Sequence, residues 1–338
     1  MGANLMSLLS PERLQTRALS LADAALVETF LNLCSQHDLG EDWCEAGDLK
    51  RDWQQPSFSI AESTHALFAG EQLVAYADLW DMQPSYVRAF GNLAVHPTWR
   101  GRGIEDHLMT WLIETSKRNL ARAPQQARVT LVMGADSRLN DLCAIYERHG
   151  LRHVRSYYQM RLEMKAPPPA PTLPEGITVR TFVKGQDDRA VFEALDEAFQ
   201  DHYGHISGQF EVFEHHMLNG PLSDFSMWYL AMAGDQIAGM CLCSKYIPED
   251  RELGWIEDLA VRRPYRKQGL GLALLQIAFG EFYRRGYRKV GLGVDAQNLT
   301  GALRLYERAG MRPERTWLRY ELVLREGEEL ATQTLTAY

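Results

Sequence analysis

Residues able to do chemistry concentrate in the C-terminal half. The stretch Trp255-Ile256-Glu257-Asp258-Leu259-Ala260-Val261 runs into Arg266-Lys267-Gln268-Gly269-Leu270-Gly271-Leu272. It reads as an apolar strand feeding a short loop, and the loop opens into a helix. Glycines let the backbone approach a ligand, unpaired N–H groups and the dipole at a helix start attract anions, and Arg266 and Lys267 add positive charge. A pyrophosphate fits such a place. Leu274 stands where a dinucleotide fingerprint has its third glycine, and no Gly-Lys-Ser/Thr ending follows, so on the glycines alone a tight structural turn is an equal reading. Glu257 and Asp258 precede the loop, and strand alternation sends them to opposite faces, so only one looks into a cleft. A carboxylate there can accept a proton from a reacting amine or pair with a nearby arginine. Asn298 and Tyr306 lie about two helical turns apart on nearly one face, where they can line one ligand.

These groups need a scaffold. The chain has 338 residues, 46% hydrophobic and 24% charged, an ordinary globular balance in a chain too long for one typical core, so about two domains are expected. A net charge of −8 gives no uniform basic field for nucleic acid, so any anionic ligand must be held by a local cluster. Cys34, Cys44, Cys143, Cys241 and Cys243 show neither a CxxC pair nor zinc spacing, which points to a reduced, cytoplasmic protein with no metal. Cys241 and Cys243 share one strand face and read as buried packing. Ser10, Pro11 and Glu12 interrupt the opening segment before an apolar run reaches signal-peptide length, and no later run is long enough to cross a bilayer.

The strongest break is KAPPPAPTLPEG, Lys165 to Gly176, whose prolines favour an extended strip. The expected organisation is residues 1–165, a linker at 166–176, and residues 177–338. The two halves are copies of each other. Asn92 to Gly103 answers Asp258 to Gly269, and Ile145 to Leu151 answers Leu305 to Met311, with six extra residues between the motifs in the first copy. In the second copy, periodicity and turn residues place strands at 177–182, 225–232, 237–246, 255–261, 289–294 and 316–324, and helices at 187–199, 271–285 and 299–309. Hairpins mixed with a strand–loop–helix crossover make each domain α/β.

The strand IEDLAV, the R-x-x-G-x-G loop, and an asparagine eight residues before a tyrosine, in that order, resemble the GCN5-related N-acetyltransferase (GNAT) family, most strongly from Trp255 to Met311. The resemblance implies an α/β (α+β) chain of two tandem GNAT-like domains, each a mixed, mostly antiparallel sheet flanked by helices. It implies acetyl transfer from acetyl-CoA to an amine, without metal or covalent intermediate. On it, Arg266, Lys267, Gly269 and Gly271 form the pyrophosphate loop, with the N–H groups of Gln268, Gly269, Leu270, Gly271 and Leu272 as cradle. Leu259 and Val261 pair through their backbone with the pantetheine arm, and Asn298 holds that arm from the other side. Glu257, preferred to Asp258, is the base acting through water, and Tyr306 is the acid that protonates the departing thiolate. The family builds its acceptor pocket near Phe199 to His205, which nominates Asp201, His202, Tyr203 and His205; a capped helix end with a solvated loop is the competing reading.

The first copy reads as disabled. Glu105 takes the place of Gly271, and a carboxylate favoured by the helix dipole competes with phosphate there. Arg138 answers Asn298, Gly91 answers Glu257, and only Tyr146 survives of the catalytic set. The expected protein is an N-acetyltransferase for a small-molecule amine, monomer or homodimer, with no nucleic-acid or membrane partner and with catalysis in the second copy. An acyl-CoA-binding sensor or scaffold, or a protein or peptide acetyltransferase, are the alternatives.

Overall fold

The computed structural model describes residues 14–55, 58–81, 85–298 and 301–332. The start of the opening segment and residues 299–300, where the last helix is expected to begin, lie outside the described residues. The chain forms two compact units, residues 1–154 with 318–328 and residues 155–317 with 329–338.

In the first unit, β1 (Leu14–Thr16), β2 (Thr64–Ala69), β3 (Gln72–Trp80) and β4 (Arg88–Val95) pair antiparallel in that order. β5 (Val129–Asp136) then joins β4 in parallel. One sheet face packs on α1 (Ala24–Leu39), with the short helices α2 (Asp48–Asp52) and α3 (Ile60–Ser63) nearby. The other packs on α4 (Ile104–Ser116), short α5 (Asn119–Arg122) follows, and Cys143 and Tyr146 of α6 (Asn140–Arg148) complete that core. β6 (Arg152–Glu163) begins in this unit and from Arg155 onward belongs to the second.

There it pairs antiparallel with β11 (Lys289–Asp295). The remaining order is β10 (Leu253–Val261), β9 (Gln236–Ser244), β8 (Tyr229–Ala233) and β7 (Ile177–Thr181), antiparallel except for the parallel β10–β11 pair. On β9, Met240 and Leu242 face α7 (Asp188–Phe199) and the short α8 (Phe210–Phe213). Cys241 and Cys243 face α9 (Leu270–Arg284), their sulfurs 3.9 Å apart. A strand buried on both faces reads as a continuous apolar run. α10 (Ala302–Arg308) carries Tyr306, and β12 (Arg312–Arg325) returns to the first unit from Leu318, beside β5. Each unit therefore takes a strand from the other half of the sequence to cover the open edge of β5 or β11, whose unpaired backbone groups would otherwise stand exposed.

Candidate active site

The parallel β10–β11 ladder runs from Leu253–Lys289 to Ile256–Leu292 and stops, although the strands continue to Val261 and Asp295. The backbone edge of β10 at Leu259 and Val261 is thus open toward β11. Beyond it lies the glycine loop. Gly269 caps α9 with φ +87°, and Lys267, with no glycine's freedom, holds φ +62°. Its counterpart is Gly101, φ +71°; a side chain in the left-handed region costs roughly 1–2 kcal/mol. The first intrahelical bond of α9 runs from Ala273 N–H to Gly269 O, so the N–H groups of Leu270, Gly271 and Leu272 have no carbonyl one turn earlier to bind. At Gly271 a Cβ would sit 3.0 Å from Leu305 Cδ2, which keeps the loop tight against α10. An open strand edge leading to three aligned N–H groups suits a pantetheine arm ending in pyrophosphate.

The loop's side chains hold the loop itself. Arg266 donates to Val261 O at 2.9 Å, to Asp201 Oδ2 at 2.6 Å and to Ala198 O at 3.0 Å, and Gln268 donates to Pro264 O. Asp201, 2% exposed, also takes two bonds from Arg263, which with Arg266 draw its pKa down to about 2. Asp201 is therefore placed in an ion pair that pins the loop to the end of α7. In the first unit Arg100 repeats the arrangement on Val95 O and Asp38.

The acids sit on a β-bulge. Ile256 opposes Cys243 and Asp258 opposes Leu242, so Glu257 is an extra residue without a partner across the ladder. The expected alternation breaks here. Ser244 Oγ donates to Glu257 Oε1 at 2.6 Å, and Asp258 faces Leu242; Leu242 and Ser244, two apart on β9, share a face, so both acids lie on the side covered by α7 and α8. Glu257 is exposed, yet desolvation by surrounding protein raises its pKa against the opposing hydrogen bonds from Ser244 and Trp255. Burial, then the neighbouring Glu257 charge, push Asp258 up to about 7.

Tyr306 is 7% exposed, and burial raises its pKa. Among the described residues its hydroxyl has no hydrogen-bond partner. Asn298 Oδ1 accepts Ala302 N–H at 3.1 Å and so fixes the start of α10. The His202 ring lies tilted against that of Phe199, centroids 4.1 Å apart, and burial lowers its pKa to about 4. Tyr203 lies under Arg155, and His205 is 3.4 Å from Asp196. Ser244 and Arg155 carried no sequence signal, because their partners are set by strand register.

The first unit shares the loop but differs at the bulge, at Glu105 and at the tyrosine. β3 and β4 pair without a register shift, and the last β4–β5 rung is Gly91–Met133, so Gly91 occupies the place of Ile256 and Glu257 has no counterpart. This corrects the ungapped match of Glu257 with Gly91. A Cβ at Gly91 would lie 2.6 Å from Met133 Sδ, too close for any side chain without movement. Glu105, 8% exposed, accepts Gly101 N–H at 3.1 Å and so places its carboxylate in the loop. Tyr146 donates to Gly134 O at 3.1 Å.

Among the described residues no cluster of three or more His, Cys, Asp or Glu could hold a metal, and no helix is long and apolar enough to cross a membrane. The acetyltransferase (GNAT) family model matches residues 27–150 and again 189–311. The chain belongs to the GNAT family of acetyltransferases and carries the fold twice. It is similar to the mycothiol acetyltransferase of Streptomyces scabiei, 34% identical over 255 residues covering 75% of this chain and 78% of that one, and to that of Thermobispora bispora, 29% identical over 72% and 78%. A solved GCN5-related N-acetyltransferase from Sphaerobacter thermophilus is 35% identical with TM-score 0.75, over 96% of this chain and 99% of that chain. A tandem GNAT protein from the clavulanic acid biosynthesis pathway shares the fold at 16% identity, TM-score 0.69, over 94% and 100%.

Proposed function

We propose that the second unit transfers the acetyl group of acetyl-CoA to the primary amine of a small polar molecule, and that the first unit does not catalyse. The observation that carries this reading is the bulge, which adds a carboxylate beside an open strand edge in one unit only. The N–H groups of α9 hold pyrophosphate, and the edge at Leu259 and Val261 pairs with the pantetheine arm. Glu257, held by Ser244, takes the proton of the attacking ammonium through water. Its raised pKa brings it nearer to the amine it must deprotonate. Asp258 lies on the same face and attracts the incoming cation. Tyr306, with an uncommitted hydroxyl, gives its proton to the leaving sulfur, and the elevated pKa keeps that proton in place until charge develops.

His202, Tyr203 and His205 border the acceptor side. The relatives' name makes the amine precursor of mycothiol, lacking its acetyl group, the first acceptor to try. Steady-state acetyl transfer to that amine, compared with a panel of other amines and lysine peptides, tests the reading. Turnover of any small amine, slowed about 10²-fold in Glu257→Gln, supports it. Turnover of peptides alone would contradict the small-molecule assignment.

A further inference from the structure

We propose that Arg155, which β6 brings into the second unit from the N-terminal half of the sequence, is a positioning residue that ties the acceptor loop at 200–205 to the Asp295–Asn298 turn. The inference rests on the acetyl-transfer reading above for its effect on catalysis, and on geometry alone for its effect on the two loops.

Arg155 Nε lies 3.0 Å from both carboxylate oxygens of Asp295, and Nη2 lies 2.6 Å from Oδ2. The same Nη2 donates to Gln297 O at 3.0 Å. The guanidinium face covers the Tyr203 ring at 4.0 Å. Arg155 and Asp295 are each only 13% exposed, so the pair is shielded from solvent. Asp295 passes the constraint on. Its Oδ1 accepts Gln297 N–H and its carbonyl accepts Asn298 N–H, while Asn298 caps the helix that carries Tyr306. A continuous chain of contacts thus leads from Tyr203 through Arg155 and Asp295 to Asn298 and α10. Arginine suits this place because one planar group supplies a two-pronged donor and a stacking face, which lysine does not.

The first unit makes the same junction differently. There Arg138, whose N–H meets Asp136 Oδ1 as that of Gln297 meets Asp295, also binds Asp136 through Nε and Nη2 and lies 3.6 Å from Glu41 in the segment after α1. Leu139, whose N–H meets the Asp136 carbonyl, stands where Asn298 does, which corrects the ungapped match of Asn298 with Arg138. Both copies bridge turn and loop with an arginine. In the second the arginine comes from β6 instead of from the turn itself.

The test uses the full chain with Arg155→Ala and Arg155→Lys, hydrogen exchange, calorimetry with acetyl-CoA, and kinetics with the amine precursor of mycothiol. In Arg155→Ala, amide exchange at 200–205 and 295–298 accelerates about tenfold while β10 and α9 stay protected, acetyl-CoA Kd rises about fivefold, and amine KM rises about tenfold with kcat within about threefold. Arg155→Lys keeps the charge on Asp295 but loses the stack, so it restores protection at 295–298 and leaves 200–205 loose. Unchanged exchange, or faster exchange spread over the whole unit, overturns the tie. Loosened loops with unchanged Kd and KM overturn the positioning role. A wild-type chain that binds no acetyl-CoA defeats the acetyl-transfer reading and the catalytic role drawn from it, while the exchange results still decide the tie.

Discussion

The Tyr146 hydroxyl donates to the Gly134 carbonyl at 3.1 Å, the first residue of β5 beyond its ladder with β4, whereas the corresponding Tyr306 hydroxyl has no partner among the described residues. One tyrosine closes the slot between the parallel strands; the hydroxyl of the other is uncommitted. Tyr306→Phe should lower kcat by about 10²-fold with little change in acetyl-CoA affinity. Tyr146→Phe should leave kcat unchanged and destabilise the protein by about 1 kcal/mol through loss of a buried hydrogen bond. Matched kinetics and thermal unfolding distinguish the two. Wild-type turnover in Tyr306→Phe would remove it as the acid.

Ser244 lowers the pKa of Glu257 by hydrogen bonding to its charged form. Removing the hydroxyl in Ser244→Ala should raise that pKa further, so the acid limb of kcat/KM moves to higher pH while the plateau is largely kept. Glu257→Gln should lose the limb and about 10²-fold in rate. A pH–rate series on the three proteins reads both effects, and an acid limb that does not move in Ser244→Ala would detach Glu257 from the proton transfer.

Asp258 has a folded pKa raised to about 7 by burial and by Glu257. A carboxyl group that holds its proton more tightly folded than unfolded costs nothing below its unfolded pKa near 4 and progressively destabilises as pH rises through about 7. Asp258→Asn removes the cost, so it should stabilise the protein at pH 8 by on the order of 2 kcal/mol and have little effect near pH 4. Chemical denaturation at the two pH values decides this.

Arg266 binds the end of β10, the end of α7 and Asp201 at once. Arg266→Ala leaves Asp201, 2% exposed, with Arg263 alone, and should destabilise by about 2 kcal/mol while weakening acetyl-CoA binding indirectly. Arg100→Ala should destabilise comparably without touching acetyl-CoA binding. Equal loss of affinity in both variants would mean that the first unit also binds.

Much of this was legible in the sequence. The strand-to-helix junction at Gly269 announced itself through local residue types, and so did the repeat that pairs Gly103 with Gly269. The bulge was not legible, because whether Glu257 has a partner depends on the register of β9, and alternation along β10 alone put its side chain opposite that of Asp258. The exchange of β6 and β12 was equally hidden, since either strand has the pattern to cover either sheet edge. Asp201 read as a substrate contact because Arg263 and Arg266, its partners, lie more than sixty residues away. Asn298 was read as a ligand group, and its hold on Ala302 depends on where α10 begins.

Calorimetric titration of the intact chain with acetyl-CoA addresses the division of labour most directly, since it needs no acceptor. One site per chain, abolished by Gly271→Glu and untouched by Gly103→Ala, is the expected result, because the Glu105 carboxylate sits in the first loop while the second has glycine at that place. Two sites, or a single site that survives Gly271→Glu, would place acetyl-CoA in the first unit and contradict the assignment.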